Sequence, residues 1–157
     1  MSEQNKRIED AFNEVLTDEV LKNALDFAGF LGANGIVQTD KYAMHYMGEC
    51  VCYIDTRNES HSWIVWVAGD YSSENNDFPI DERTKEIAWA HVNKCGYCEG
   101  VDCKPGKTRM IFGKEFTNIC CGANDIDLYF SNPDAETLES MKKLVLMRKN
   151  IIAGYTK

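Results

Sequence analysis

Three cysteines stand close together at Cys95, Cys98 and Cys103, in the spacing C-x2-C-x4-C, and two more follow at Cys120 and Cys121. Zinc takes four nitrogen or sulfur donors in a tetrahedron, and a C-x2-C bend is short enough to bring two thiolates onto one ion. Gly96 and Gly100 allow the tight backbone of such a knuckle. A hairpin running from Arg109 to Cys120 would carry the chain back to it. The expected metal set is therefore Cys95, Cys98, Cys103 and Cys120. Cys121 and His91 are alternatives for the fourth ligand. Adjacent residues on an extended chain point to opposite faces, so one of Cys120 and Cys121 would bind while the other packs. His91 lies four residues before Cys95 and shares its face if a helix reaches that far. A reversible disulfide (Cys98–Cys103 or Cys95–Cys120), a set of reduced thiols, or an iron–sulfur cluster are the competing readings.

A second constellation lies in the middle of the chain. Tyr42–Met47 and Cys50–Asp55 read as two strands joined by Gly48-Glu49. Glycine at the first central position suits a type II′ turn. That turn sets His45 opposite Cys52, and a thiol beside an imidazole is the minimum for an activated nucleophile. The face Ala43, His45, Met47, Cys50, Cys52 and Ile54 is mostly apolar and is read as core-facing. Tyr42, Tyr46 and Tyr53 then share the other face with Met44. With Trp63, Trp66 and Trp89 they supply enough aromatic surface to wall an apolar pocket. Asp125 and Asp127 fall on one side of a strand and are read as a solvated face rather than a cation site.

Composition narrows the function class. The chain has 157 residues, about one domain's length, with 44% hydrophobic and 27% charged residues and a net charge of −8. Such a chain can bury a core without crosslinks. A general nucleic-acid binder needs clustered positive charge, so that partner is not expected. The first residues, MSEQNKRIEDAFNEVL, contain no apolar signal region, and no stretch is apolar enough for a membrane helix. The expectation is a cytoplasmic protein without a membrane partner. In that compartment clustered thiols point to metal or redox chemistry, and an odd total of seven leaves at least one unpaired.

The elements that must position these residues follow from periodicity. Ile8, Ala11, Phe12, Val15 and Leu16 repeat at helical spacing. Val20, Leu21, Ala24, Leu25, Ala28 and Leu31 form a second stripe, opened by Thr17 as cap. The two helices could also be one kinked helix. Trp63–Ala68 is apolar on both faces and reads as a central strand. Asp81 caps a helix to about Asn93, with Thr84, Ile87, Ala88 and His91 inward. Arg109–Phe112 and Ile126–Phe130 read as further strands, with Lys114–Cys121 partly extended between them. Asn132 and Pro133 suit the cap and first position of a last helix. Its buried stripe is Leu138, Met141, Leu144, Val145 and Ile152, and Gly154 ends it. The fold class is α+β: one antiparallel sheet of about five strands, helices packed on it and a Cys-rich knuckle at residues 95–121. The chain reads as a single domain over 1–157.

The segments CGYCEGVDC, RMIFGKEFTNIC and YFSNPDAETLESMKKLVLMRKNII, spanning Cys95 to Ile152, resemble the C-terminal part of small cytosolic cysteine-knuckle proteins of anaerobic bacteria. That resemblance implies a coherent domain containing the knuckle and implies no activity. The reading that follows is a non-enzymatic, zinc-stabilised α+β module that binds a small apolar ligand or a protein partner. Its alternative is a redox sensor or thiol enzyme using Cys50 or Cys52 with His45, or the knuckle itself.

Overall fold

A computed structural model describes residues 7–40, 43–68, 80–92, 107–119 and 128–154. Two helices open it, α1 (Ile8–Val15) and α2 (Asp18–Ala33). Leu16 and Thr17 between them are extended, so the stripe is two helices and not one kinked helix. Thr17 occupies the cap position, but its side chain makes no capping hydrogen bond. Phe12, Val15, Ala24, Phe27 and Leu31 are buried, as the 3.6-residue period requires.

The main sheet follows. Its strands are β1 (Val37–Gln38), β2 (Ala43–Tyr46), β3 (Glu49–Arg57), β4 (Ser62–Val67) and, from much later in the chain, β7 (Leu128–Ser131). They lie in the order β1-β2-β3-β4-β7, all neighbours antiparallel. The α+β class and the five-strand antiparallel sheet are as the sequence implies. Trp63, Ile64, Val65 and Val67 are all buried, which is why β4 reads as apolar on both faces and sits between two neighbours.

Two details of membership differ from expectation. The fifth strand of the sheet is β1, two residues long and too short to leave a periodic signal. The strand expected at Arg109–Phe112 is instead part of a separate two-stranded sheet, β5 (Lys107–Ile111) with β6 (Lys114–Ile119). Helix α3 (Glu82–Ala90) holds this ribbon: the Trp89 indole Nε1 donates to the Ile111 carbonyl at 2.7 Å. Lys114 Nζ stands 4.9 Å from the centre of the Trp89 ring. Asp81 caps α3, its carboxylate accepting from Thr84 N at 3.3 Å. The helix ends at Ala90, three residues earlier than expected.

Helix α4 (Ala135–Gly154) buries Leu138, Met141, Leu144, Val145 and Ile152, the expected stripe. Its cap is not Asn132. Asp134 accepts from Thr137 N at 2.8 Å and so satisfies a first-turn donor. Asn132 takes a left-handed φ of 45°, which asparagine tolerates. From there it clamps β4: its Oδ1 accepts from Trp63 N at 3.1 Å and its own N–H donates to Trp63 O at 2.9 Å.

Asp134→Ala should cost about 1 kcal/mol, the usual worth of a cap. The hydrogen bonds from Thr137 hold the Asp134 carboxyl below its ordinary range. A carboxyl lowered by folding stabilises above its unfolded pKa of about 3.9, and that contribution is lost as pH falls through the folded value. Urea midpoints of wild type and variant should therefore separate at neutral pH and converge well below about pH 4. A gap that persists in acid would contradict this.

Candidate functional site

Where the start of α1, the end of α2 and β1 meet, a half-open groove of about 410 Å³ enters the molecule. Its floor is apolar: Ile8, Ala28, Leu31, Ile36 and Met44 are all buried. Its rim is polar, carrying Arg7, Glu9, Gln38, Thr39 and Asp40. Its volume falls within the range of small-molecule sites, and its accessible lining is slightly more polar than apolar.

The rim is held in place by local hydrogen bonds. Gln38 Oε1 accepts from Ile8 N at 2.9 Å, taking up one of the donors that the first turn of α1 leaves unpaired. Gln38 Nε2 donates to Asp40 O at 3.0 Å. Asp40 Oδ1 accepts from Ala43 N at 2.8 Å. Arg7 Nε pairs with Glu9 Oε2 at 3.0 Å on an exposed surface. Gly32 forms part of the wall, and a Cβ built there meets nothing within 4 Å.

The aromatic side chains expected to wall a pocket do not line this groove. Tyr53, Trp66 and Tyr129 instead stand opposite one another on β3, β4 and β7. The Trp66 and Tyr129 rings lie 5.5 Å apart. Trp63 is wholly buried, and Tyr42 lies outside the described residues. Nothing in the sequence pattern marked the groove, because its wall comes from three separate segments. The single available sign was the hydrogen-bonding run Gln38-Thr39-Asp40 directly after an apolar helix end.

The hairpin thiols are placed differently from expectation. The turn is Met47-Gly48, with φ of 52° and 82°, and Tyr46 faces Glu49. Positive φ at both central residues is the type I′ geometry, which matches the twist of a hairpin. The turn therefore moves by one residue and the pairing by two, so His45 faces Cys50, not Cys52. A bulge then shifts the register, so that Met44 faces Cys52. It also explains why successive residues Val51 and Cys52 are both buried. Met47, expected in the core, is exposed at the turn. His45 Nδ1 hydrogen-bonds Thr39 Oγ1 at 2.7 Å. Burial pushes the Cys50 thiol up from its ordinary value, against a smaller opposing effect of Tyr53. Complete burial pushes Cys52 far up. Both shifts run opposite to the lowered pKa of an activated thiol.

The expected metal ligands Cys95, Cys98, Cys103, Cys120 and Cys121 lie outside the described residues, as do Asp125 and Asp127. Among the described residues, no group of three or more His, Cys, Asp or Glu side chains is placed to hold a metal ion. His91 is described. Its Nδ1–H donates to the Ile87 carbonyl at 2.7 Å, and its ring stacks on Phe130 at 4.6 Å. In the neutral ring that bond leaves the lone pair on Nε2, the arrangement common in metal-bound histidines. Val92 bridges Leu128, and Lys107 pairs with Ile119 at the base of the ribbon.

No family model, curated protein or solved structure matches the chain. Among the described residues, no helix is long and apolar enough to cross a membrane.

In native protein at neutral pH, iodoacetamide should modify Cys52 only on unfolding and Cys50 slowly. Mass mapping of time points would show this. Rapid native labelling of Cys52 would contradict the burial and the raised pKa.

Proposed function

We propose that this protein is a non-enzymatic, zinc-stabilised α+β module that binds a small apolar ligand in the groove between α1, α2 and β1. The observation that carries the binding reading is the groove itself, with five buried apolar side chains under a polar rim.

The zinc reading rests on donor chemistry. Cys95, Cys98, Cys103 and Cys120 make a thiolate set that suits a closed structural site, with Cys121 and His91 as alternative fourth ligands. Two described features support it. Cys120 directly follows Ile119, which pairs with Lys107 at the end of the ribbon nearest Cys103 in the chain. His91 has its Nδ1–H committed to a carbonyl, as a histidine ligand requires. A closed four-ligand site leaves no position for water and so stabilises without catalysing hydrolysis. The raised pKa of Cys50 and Cys52 weighs against the thiol-enzyme alternative.

Protein from metal-defined medium should carry about one zinc per chain, and Cys98→Ser should lose zinc and urea resistance together. Metal-free wild type with an unchanged urea midpoint would overturn the zinc reading. For the groove, 2-phenylethanol should shift the Met44 methyl resonance saturably, and Gly32→Trp should abolish that shift by filling the wall. An unaffected Met44 signal would overturn the binding reading.

A further inference from the structure

Leu31, Ile36 and Met44 of the groove floor are only 2–3% exposed, and Ile8, which shares that floor, is 5% exposed. An apolar guest reaches these side chains only if one wall moves. The walls are not equally firm. Leu31 belongs to a 16-residue helix, and Met44 lies in a strand paired on both edges. Ile8 is the first residue of an eight-residue helix. The second turn of that helix is pinned, because Phe12 is wholly buried with its ring 5.4 Å from Trp63. The first turn has less to hold it. Its cap residue, Arg7, makes no side-chain capping bond, and the exposed Arg7–Glu9 ion pair is worth little. The tie to the first backbone donor comes from the sheet instead: Gln38 Oε1 accepts from Ile8 N at 2.9 Å.

We propose that the first turn of α1, residues 7–10, is the lid of the groove and that Gln38 is its latch. Fraying this turn breaks one tertiary hydrogen bond and takes Ile8 out of the floor, while Phe12 keeps the rest of the helix in place. The guest binds the frayed state, so its apparent affinity scales with the fraction of molecules that are open. The proposal rests on the binding reading of the same groove and adds how that site is gated.

Two substitutions isolate the latch. Gln38 also donates from Nε2 to Asp40 O at 3.0 Å. Gln38→Ala removes both the acceptor for Ile8 N and that donor. Gln38→Glu keeps the acceptor and removes only the donor.

Amide exchange of the full-length protein reads the latch without any guest. Asp10 N and Ala11 N donate to Arg7 O at 3.1 and 3.2 Å and close the first turn. In Gln38→Ala these two amides should exchange roughly three- to tenfold faster, the usual worth of one hydrogen bond. The Leu16 amide, bound to Phe12 O at the far end of α1, should keep its wild-type rate. Gln38→Glu should exchange like wild type throughout. Titration with 2-phenylethanol, followed at the Met44 methyl resonance, reads the lid. Gln38→Ala should bind this probe tighter by the same factor, and saturating probe should speed the Asp10 and Ala11 amides of wild type. Unchanged exchange in Gln38→Ala, or equal acceleration in Gln38→Glu, overturns the latch. Faster exchange with unchanged affinity overturns the lid and leaves the groove a binding site. No Met44 response in any of the three proteins overturns the binding reading and the gating with it.

Discussion

The burial of Trp63 is the constraint on which the rest of the structure depends. Its ring is fully buried, 5.4 Å from Phe12 of α1 and 5.8 Å from Phe27 of α2. An aromatic side chain of this kind removes roughly 150–250 Å² from water, a gain of about 4–6 kcal/mol. The indole Nε1 has no hydrogen-bond partner among the described residues, which costs about 1–3 kcal/mol. The balance favours burial. One side chain thereby packs against both N-terminal helices from the sheet. Its backbone, clamped from both sides by Asn132, ties the same strand to the C-terminal part of the chain.

The groove is a consequence of that arrangement. With α1 and α2 held over β4, the first turn of α1 and the last turn of α2 come to the β1 edge of the sheet. Gln38 then joins α1 to β1 through the Ile8 amide. The floor residues are ordinary core side chains that happen to stand at this boundary. Lys142 of α4 pairs with Asp26 of α2 at 2.7 Å, and Lys143 pairs with Asp81 at the start of α3. These are surface ion pairs, worth little each, and they follow the packing of the apolar stripes rather than cause it.

Much of this was legible because it follows period. The α4 stripe of Leu138, Met141, Leu144, Val145 and Ile152 and the doubly apolar β4 are patterns that only burial explains. Local chemistry with two solutions was harder. Met47-Gly48 and Gly48-Glu49 are both permissible turns. The structure adopts the one in which Met47 accepts a left-handed φ, and a bulge opposite Met44 and His45 shifts the register by one residue. Asn132 and Asp134 are both good caps, and Trp63 claims the first. The groove was hidden for a different reason. Arg7, Leu31, Gln38 and Met44 have no shared spacing, and only tertiary packing brings them to one place. The cysteine-rich segment was the clearest chemical signal in the chain, yet its cysteines lie outside the described residues.

Native-state hydrogen exchange at the Trp63 amide tests the central claim most directly. This N–H donates to Asn132 Oδ1 at 3.1 Å, next to the buried Trp63 ring. If Trp63 organises the fold, its amide exchanges only through global unfolding, and its opening free energy equals that from urea denaturation. Exchange through a lower-energy local opening, with α1 and α2 amides still protected, would show that the helices are held without it.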